Sequence, residues 1–192
     1  MKTIIKASSE PLSWYFLPDS ALVNSGKPFF IPEFADEFEA VLAPVVRIGR
    51  IGKSIGARFA ERYYSEIAPG VHFRAPKLRR SLLEAGVPAD ASYSFDRSLT
   101  VGNFIEAGEF LTSDPIVMEV CDSEGGIREE RRVATDLLKN DLGPMLEAVS
   151  ATNTIKMGDY LLPVVSEPIG INIGDTVVVR KGEVILLTIH IR

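Results

Sequence analysis

Short runs of β-branched and aromatic residues bounded by Pro, Gly, Asn and Asp predict strands at Trp14 to Leu17, Pro28 to Ile31 and Val41 to Ile48. The period changes after Ser54. Ile55, Phe59, Tyr63 and Ile67 recur every four residues, which aligns them on one face and predicts a helix from Ser54, its candidate cap, to Ile67. A second helix is predicted from Pro76 to Gly86, because proline is tolerated in a first turn and glycine favours helix ends.

Ile116 to Val133 alternates as a hairpin would, turning at Asp122-Ser123-Glu124-Gly125-Gly126. A third helix is predicted over Pro144 to Ser150 with Asp141 as its candidate cap. The C-terminal third reads as β. Gly158-Asp159 and Gly174-Asp175 supply turns that accept positive φ ahead of Tyr160 to Val165 and Thr176 to Val179, and Lys181-Gly182-Glu183 leads into Val184 to Ile191. The turn chemistry recurs without a long repeating unit, so it does not predict a solenoid. The pattern as a whole predicts an α+β, mainly β fold with a few peripheral helices.

With 192 residues, 46% apolar and 24% charged, the chain is expected to form one soluble domain over 1–192 rather than a disordered segment. A net charge of −5 opposes non-specific attraction to phosphate backbones, so no nucleic-acid partner is expected. Cys121 is the only cysteine, which excludes an intramolecular disulfide, and no Cys/His spacing suits zinc; a reducing cytoplasm fits both facts. Met1 to Lys6 lacks the apolar stretch of a signal peptide, and Val184 to Ile189 is too short to cross a bilayer, so no membrane partner is expected.

Candidate chemistry is sparse. Gly49 and Gly52 precede Lys53-Ser54 but lack the spacing of a phosphate loop, and are read as turning the chain. His190 alternates with Ile189 and Ile191 and is read as solvent-facing on a strand. His72, in a predicted loop, is the better functional candidate, although no Ser or Cys nucleophile accompanies it by motif. Glu37 and Glu39 share a face if extended and form a possible metal pair without a recognisable third ligand. Lys77, Arg79 and Arg80 are read either as an anion site or as a solvated helix face.

Three sets of residues in order, Phe16-Leu17-Pro18-Asp19-Ser20-Ala21-Leu22, Gly26-Lys27-Pro28-Phe29-Phe30-Ile31-Pro32-Glu33-Phe34 and Ser94-Phe95-Asp96, resemble the fumarylacetoacetate hydrolase family. Arg50-Ile51-Gly52-Lys53, Tyr63-Tyr64-Ser65-Glu66-Ile67 and Gly70-Val71-His72-Phe73 extend the likeness over most of the chain. The resemblance implies a mixed β-roll, a homodimer, and Mg²⁺- or Mn²⁺-dependent hydrolysis, decarboxylation or isomerisation of acylpyruvates and related 2-oxo acids.

Aligned without gaps, the family's Glu-x-Glu falls on Val41 and Ala43, and its third acidic ligand falls on Lys77 in Ala75-Pro76-Lys77-Leu78. Its lysine before the Ser-Phe-Asp string is Tyr93, its Gly-Thr-Pro segment corresponds to Val164-Val165-Ser166, and its N-terminal segment with a histidine is shortened away. An isopropyl group, a methyl group and an ammonium offer a hard cation no anionic oxygen. The implied metal site is therefore degenerate and no metal cofactor is expected.

The leading reading is a catalytically inactive homologue kept as a small-carboxylate-binding or assembly module, with Arg74, Lys77, Tyr93, Asp96 and Ser166 as candidate ligand-binding residues. The alternative is an active hydrolase, decarboxylase or isomerase of 2-oxo acids. It would use either a residual Mg or Mn site at Glu37 and Glu39, placed there by a gapped alignment, or Lys77 as an amine nucleophile.

Overall fold

The computed structural model describes every residue from Met1 to Arg192. Its first strands, β1 (Thr3–Ser9) and β2 (Leu12–Leu17), form an antiparallel hairpin, followed by a short β3 (Leu22–Asn24). Pro28 to Ile31 does not form the predicted strand. Only Phe29 bridges, to Ile191, because Pro28 and Pro32 flank it without N–H groups to extend the ladder. Val41 to Ile48 also divides, into β4 (Phe38–Leu42) and β5 (Val45–Ile48), which enter different sheets on either side of Pro44.

The helix predicted from Ser54 is absent. Ser54 takes a left-handed φ of 52°, which breaks any helical run at its start, and the N–H groups of Ser54 and Ile55 are bonded to the carbonyl and hydroxyl of Ser150, which ties the segment to a distant helix. A 3₁₀ turn, Ala57–Arg62, leads instead into β6 (Tyr64–Ala68) and β7 (Gly70–Arg74). The regular apolar spacing thus runs from a loop through the 3₁₀ turn into a strand, with Ile55 buried from the loop and Ile67 from the strand.

Helix α1 (Pro76–Glu84) lies where expected, with Pro76 in its first turn. After it come β8 (Leu99–Val101), β9 (Ile105–Glu106), α2 (Ala107–Phe110) and the predicted hairpin of β10 (Ile116–Cys121) and β11 (Ile127–Val133). Helix α3 (Thr135–Thr152) is longer than predicted and keeps Pro144 in its interior. Leu138, Leu142, Met145, Leu146 and Val149 bury one stripe of it, and this burial outweighs the backbone bond that proline removes. Asp141 is not a cap; it sits within the helix and pairs with Lys6 at 2.6 Å.

The chain ends in β12 (Tyr160–Leu162), β13 (Ile169–Ile171), β14 (Thr176–Lys181) and β15 (Val184–His190). Both Gly-Asp turns have the expected positive φ, at Gly158 and Gly174. The buried aspartates close them in the same way: Asp159 accepts from the Lys156 N–H at 2.9 Å, and Asp175 from the Asn172 N–H at 2.8 Å.

The strands form a six-stranded sheet in the order β2-β1-β12-β5-β6-β9, a four-stranded sheet β11-β10-β14-β15, and a five-stranded sheet β13-β4-β7-β8-β3. In the last of these, Phe38, Ala40 and Leu42 of β4 and Val71 and Phe73 of β7 face the main core. Their neighbours alternate to the other side, where Glu39 lies opposite Arg74 and Val41 opposite His72. No helix is long and apolar enough to cross a membrane.

Candidate functional site

The outward face of β4 and β7 carries a chain of polar side chains centred on His72, which is completely buried. Its Nε2 lies 2.8 Å from the Tyr93 carbonyl, and its Nδ1 lies 3.3 Å from both Arg74 Nε and the Tyr15 hydroxyl. A carbonyl only accepts and a guanidinium N–H only donates, so Nε2 carries the proton and Nδ1 presents its lone pair. The imidazole is neutral. Burial, reinforced by the Arg74 charge, pushes its pKa down to about 3.

Arg74 is therefore held from behind. Its Nε donates to His72 and its Nη2 to the Tyr15 oxygen at 3.3 Å, while none of the chain's ion pairs includes it. Tyr15 comes from β2, in a different sheet, and its ring packs against that of Tyr93 with centroids 4.2 Å apart. Burial pushes the Tyr15 phenol up to about 12, so it stays protonated. The single Nδ1 lone pair faces two donors, which leaves donor capacity over for a bound molecule.

These groups open on a cleft of about 340 Å³ lined by Tyr15, Glu39, Arg74, Arg79, Tyr93 and Pro168. Arg79, one helical turn into α1, also lacks an ion-pair partner. Glu39 is half-buried. Its burial raises its pKa, against the opposing pull of Arg74 and Arg79. The wall thus presents two guanidinium groups and one carboxylate, none of them paired with a charge of the protein.

Of the sequence-based candidates, Arg74 and Tyr93 meet in this cleft. Lys77 does not: it is exposed on α1 and pairs with Asp36 at 3.0 Å, a hydrogen bond that raises its pKa and keeps it an ammonium. Asp96 is exposed and lies outside the cleft wall. Ser166 also lies outside it; its hydroxyl accepts from the Leu42 N–H and donates to the Glu167 carbonyl, closing the end of β4.

Val41 and Ala43 are fully buried, whereas Lys77 is exposed. Val41 is fully covered opposite His72, and Ala43 is packed in a smaller core with Ile5, Val45 and Leu162. The same strand face runs from the open cleft at Glu39 into closed interior, so only its first part can meet a ligand. Glu37 is exposed and meets Glu39 in the wall of a neighbouring cleft, which Asp36 and Arg128 also line, so the predicted pair does come together there. No three His, Cys, Asp or Glu side chains come together in a group that could hold a metal ion. The lone carboxylate of the Arg74 cleft faces two guanidinium groups, a donor set that does not fit Mg²⁺ or Mn²⁺.

His72 was expected in a loop and lies instead on a buried strand, acting on its neighbours rather than facing the cleft. Of the possible anion site Lys77, Arg79 and Arg80, only Arg79 lines this cleft, and Tyr15 is a lining residue that the sequence does not single out. Tyr15 reaches the site through pairing between segments far apart in sequence, for which a single sequence carries no signal.

No protein-family profile and no curated protein matches the sequence. Solved structures do match in three dimensions. A Yersinia pestis protein assigned to the fumarylacetoacetate hydrolase family superposes with a TM-score of 0.84 at 20% identity, over 100% of this chain and 92% of that one. The fumarylpyruvate hydrolase of Pseudomonas aeruginosa, solved in complex with Mn²⁺ and pyruvate, gives 0.83 at 18% identity over 100% and 89%. The 5-carboxymethyl-2-hydroxymuconate delta-isomerase of Mycobacterium smegmatis gives 0.80 at 24% identity over 99% and 78%. The fold is that of fumarylacetoacetate hydrolase family proteins, as the sequence resemblance implies, and the mainly β, α+β architecture follows the expectation.

Proposed function

We propose that this chain is a divergent homologue of fumarylacetoacetate hydrolase family proteins that binds a small carboxylate on Arg74 without a divalent cation. The observation that carries the reading is a guanidinium fixed by His72 and Tyr15, free of any carboxylate partner, in the wall of a cleft. A planar fork with its Nε anchored presents its remaining N–H groups in a set direction, the geometry that suits a carboxylate. Tyr15 adds a neutral donor. His72 keeps both ring nitrogens occupied and refuses a proton near neutral pH, so it orients Arg74 and is unsuited to act as a base.

Isothermal titration in the presence of EDTA tests this reading. Pyruvate, 2-oxoglutarate and related small carboxylates are titrated into wild type and Arg74→Met; binding by wild type that is lost in the variant supports it. If no small carboxylate binds, the reading falls.

One observation favours the enzymatic alternative. Glu39 is a cleft carboxylate with a raised pKa, a suitable group to move a proton at the carbon next to the ketone of a bound 2-oxo acid. Exchange of the pyruvate methyl protons in D₂O, followed by NMR, detects that step; it should disappear in Glu39→Gln. The route through Lys77 loses its support, since that ammonium is exposed and paired with Asp36. Homodimerisation, implied by the resemblance, belongs to the same proposal and is checked by sedimentation.

A further inference from the structure

We infer that the molecule for which the Arg74 cleft is built is an α-amino acid carrying a second carboxylate, its α-carboxylate on Arg74, its ammonium on Glu39 and its side-chain carboxylate on Arg79. The inference rests on the carboxylate-binding reading and goes beyond it by fixing the chemical class.

Charge complementarity favours this class. Arg74, Arg79 and Glu39 give the wall two positive groups and one negative group, and an amino dicarboxylate carries the reverse set. Glu39 and Arg74 are also direct cross-strand neighbours and yet form no ion pair within 4.0 Å. Adjacent opposite charges held apart fit a ligand whose carboxylate and ammonium sit on one carbon, so that each protein charge meets its own counter-charge.

Desolvation favours the same ligand class. Glu39 is already half-buried, and a ligand closing over it removes more of its water. A 2-oxo diacid offers this carboxylate no donor and adds repulsion, whereas an ammonium supplies both donor and charge. The cleft, about 340 Å³, is at the small end of the range of ligand pockets, in keeping with an amino acid. Arg79 lies on the exposed side of the wall, where a side-chain carboxylate pointing outwards would reach it.

The test is isothermal titration of the intact chain with L-glutamate, L-aspartate, 2-oxoglutarate and succinate, using wild type and Glu39→Gln. The expected result is that glutamate or aspartate binds wild type at least about ten-fold more tightly than the other two, about 1.4 kcal/mol. Glu39→Gln, its fold checked by circular dichroism, should abolish that preference. Equal or tighter binding of 2-oxoglutarate by wild type, or a preference for amino acids that survives Glu39→Gln, overturns the inference and leaves the carboxylate reading standing. Binding of neither class removes both.

Discussion

Glu39 and Arg74 face each other directly across β4 and β7, and their charged ends remain unpaired. The guanidinium is turned instead towards His72 and Tyr15, which hold it without neutralising it. Arg74→Lys keeps the charge but removes the fork and the Nε bond to His72. Affinity for the carboxylate ligand is expected to fall at least about ten-fold, by about 1.4 kcal/mol, as measured by titration calorimetry.

His72 links stability to pH. The unfolded chain takes up a proton on this imidazole near pH 6.5, whereas the folded protein refuses it until about pH 3. Between those values unfolding binds a proton, so the contribution of this residue to stability is lost as pH falls, at roughly 1.4 kcal/mol per pH unit. Urea unfolding of wild type and His72→Gln at pH 7, 6, 5 and 4 should show the wild-type excess shrinking over that window. A difference independent of pH would mean that His72 is not buried in its neutral form.

Tyr15→Phe removes the phenol that accepts from Arg74 and shares the His72 lone pair, while keeping the ring against Tyr93. The loss of one neutral donor predicts a weakening of ligand binding by roughly 0.5–1.5 kcal/mol with the fold intact. Alkaline titration of the tyrosine absorbance should lose its latest component in this variant, since Tyr15 ionises only near 12.

Lys77→Ala is expected to leave carboxylate binding within error of wild type, because the ammonium is exposed and paired with Asp36 outside the cleft wall. A ten-fold loss of affinity in calorimetry would place Lys77 in the site after all.

Gly70 begins β7 in close contact with the junction between β4 and β5. A Cβ there would lie 2.3 Å from the Ala43 carbonyl oxygen and 2.7 Å from Val45 Cγ2, so backbone as well as side chain would have to move. Gly70→Ala should destabilise the fold by about 1–3 kcal/mol in urea unfolding. Because β7 carries His72 and Arg74, ligand affinity should fall with it.

Much of this architecture is legible locally. The hairpin around Gly125, the two Gly-Asp turns and helix α1 follow from turn and cap chemistry contained within a few residues. The expected helix over Ser54 to Ile67 fails because Ser54 turns left-handed where it is bonded to Ser150, almost a hundred residues on, and because Tyr64 to Ala68 pairs with β5 instead. The site is legible only in part for the same reason. Arg74 and Tyr93 are visible through resemblance, but their meeting with Tyr15 and Glu39 depends on strand pairing and on which stretch of β4 is covered. Val41 and Ala43 share the face of Glu39, yet burial separates them from any ligand.

The central claim, an anchored arginine doing the work of binding where no acidic metal site is assembled, is tested most directly by titrating 2-oxoglutarate and L-glutamate into wild type and Arg74→Met in EDTA. The account predicts binding by wild type that is unchanged when Mg²⁺ replaces the chelator and is lost in Arg74→Met. Binding that requires Mg²⁺, or that persists undiminished without the Arg74 guanidinium, would contradict it.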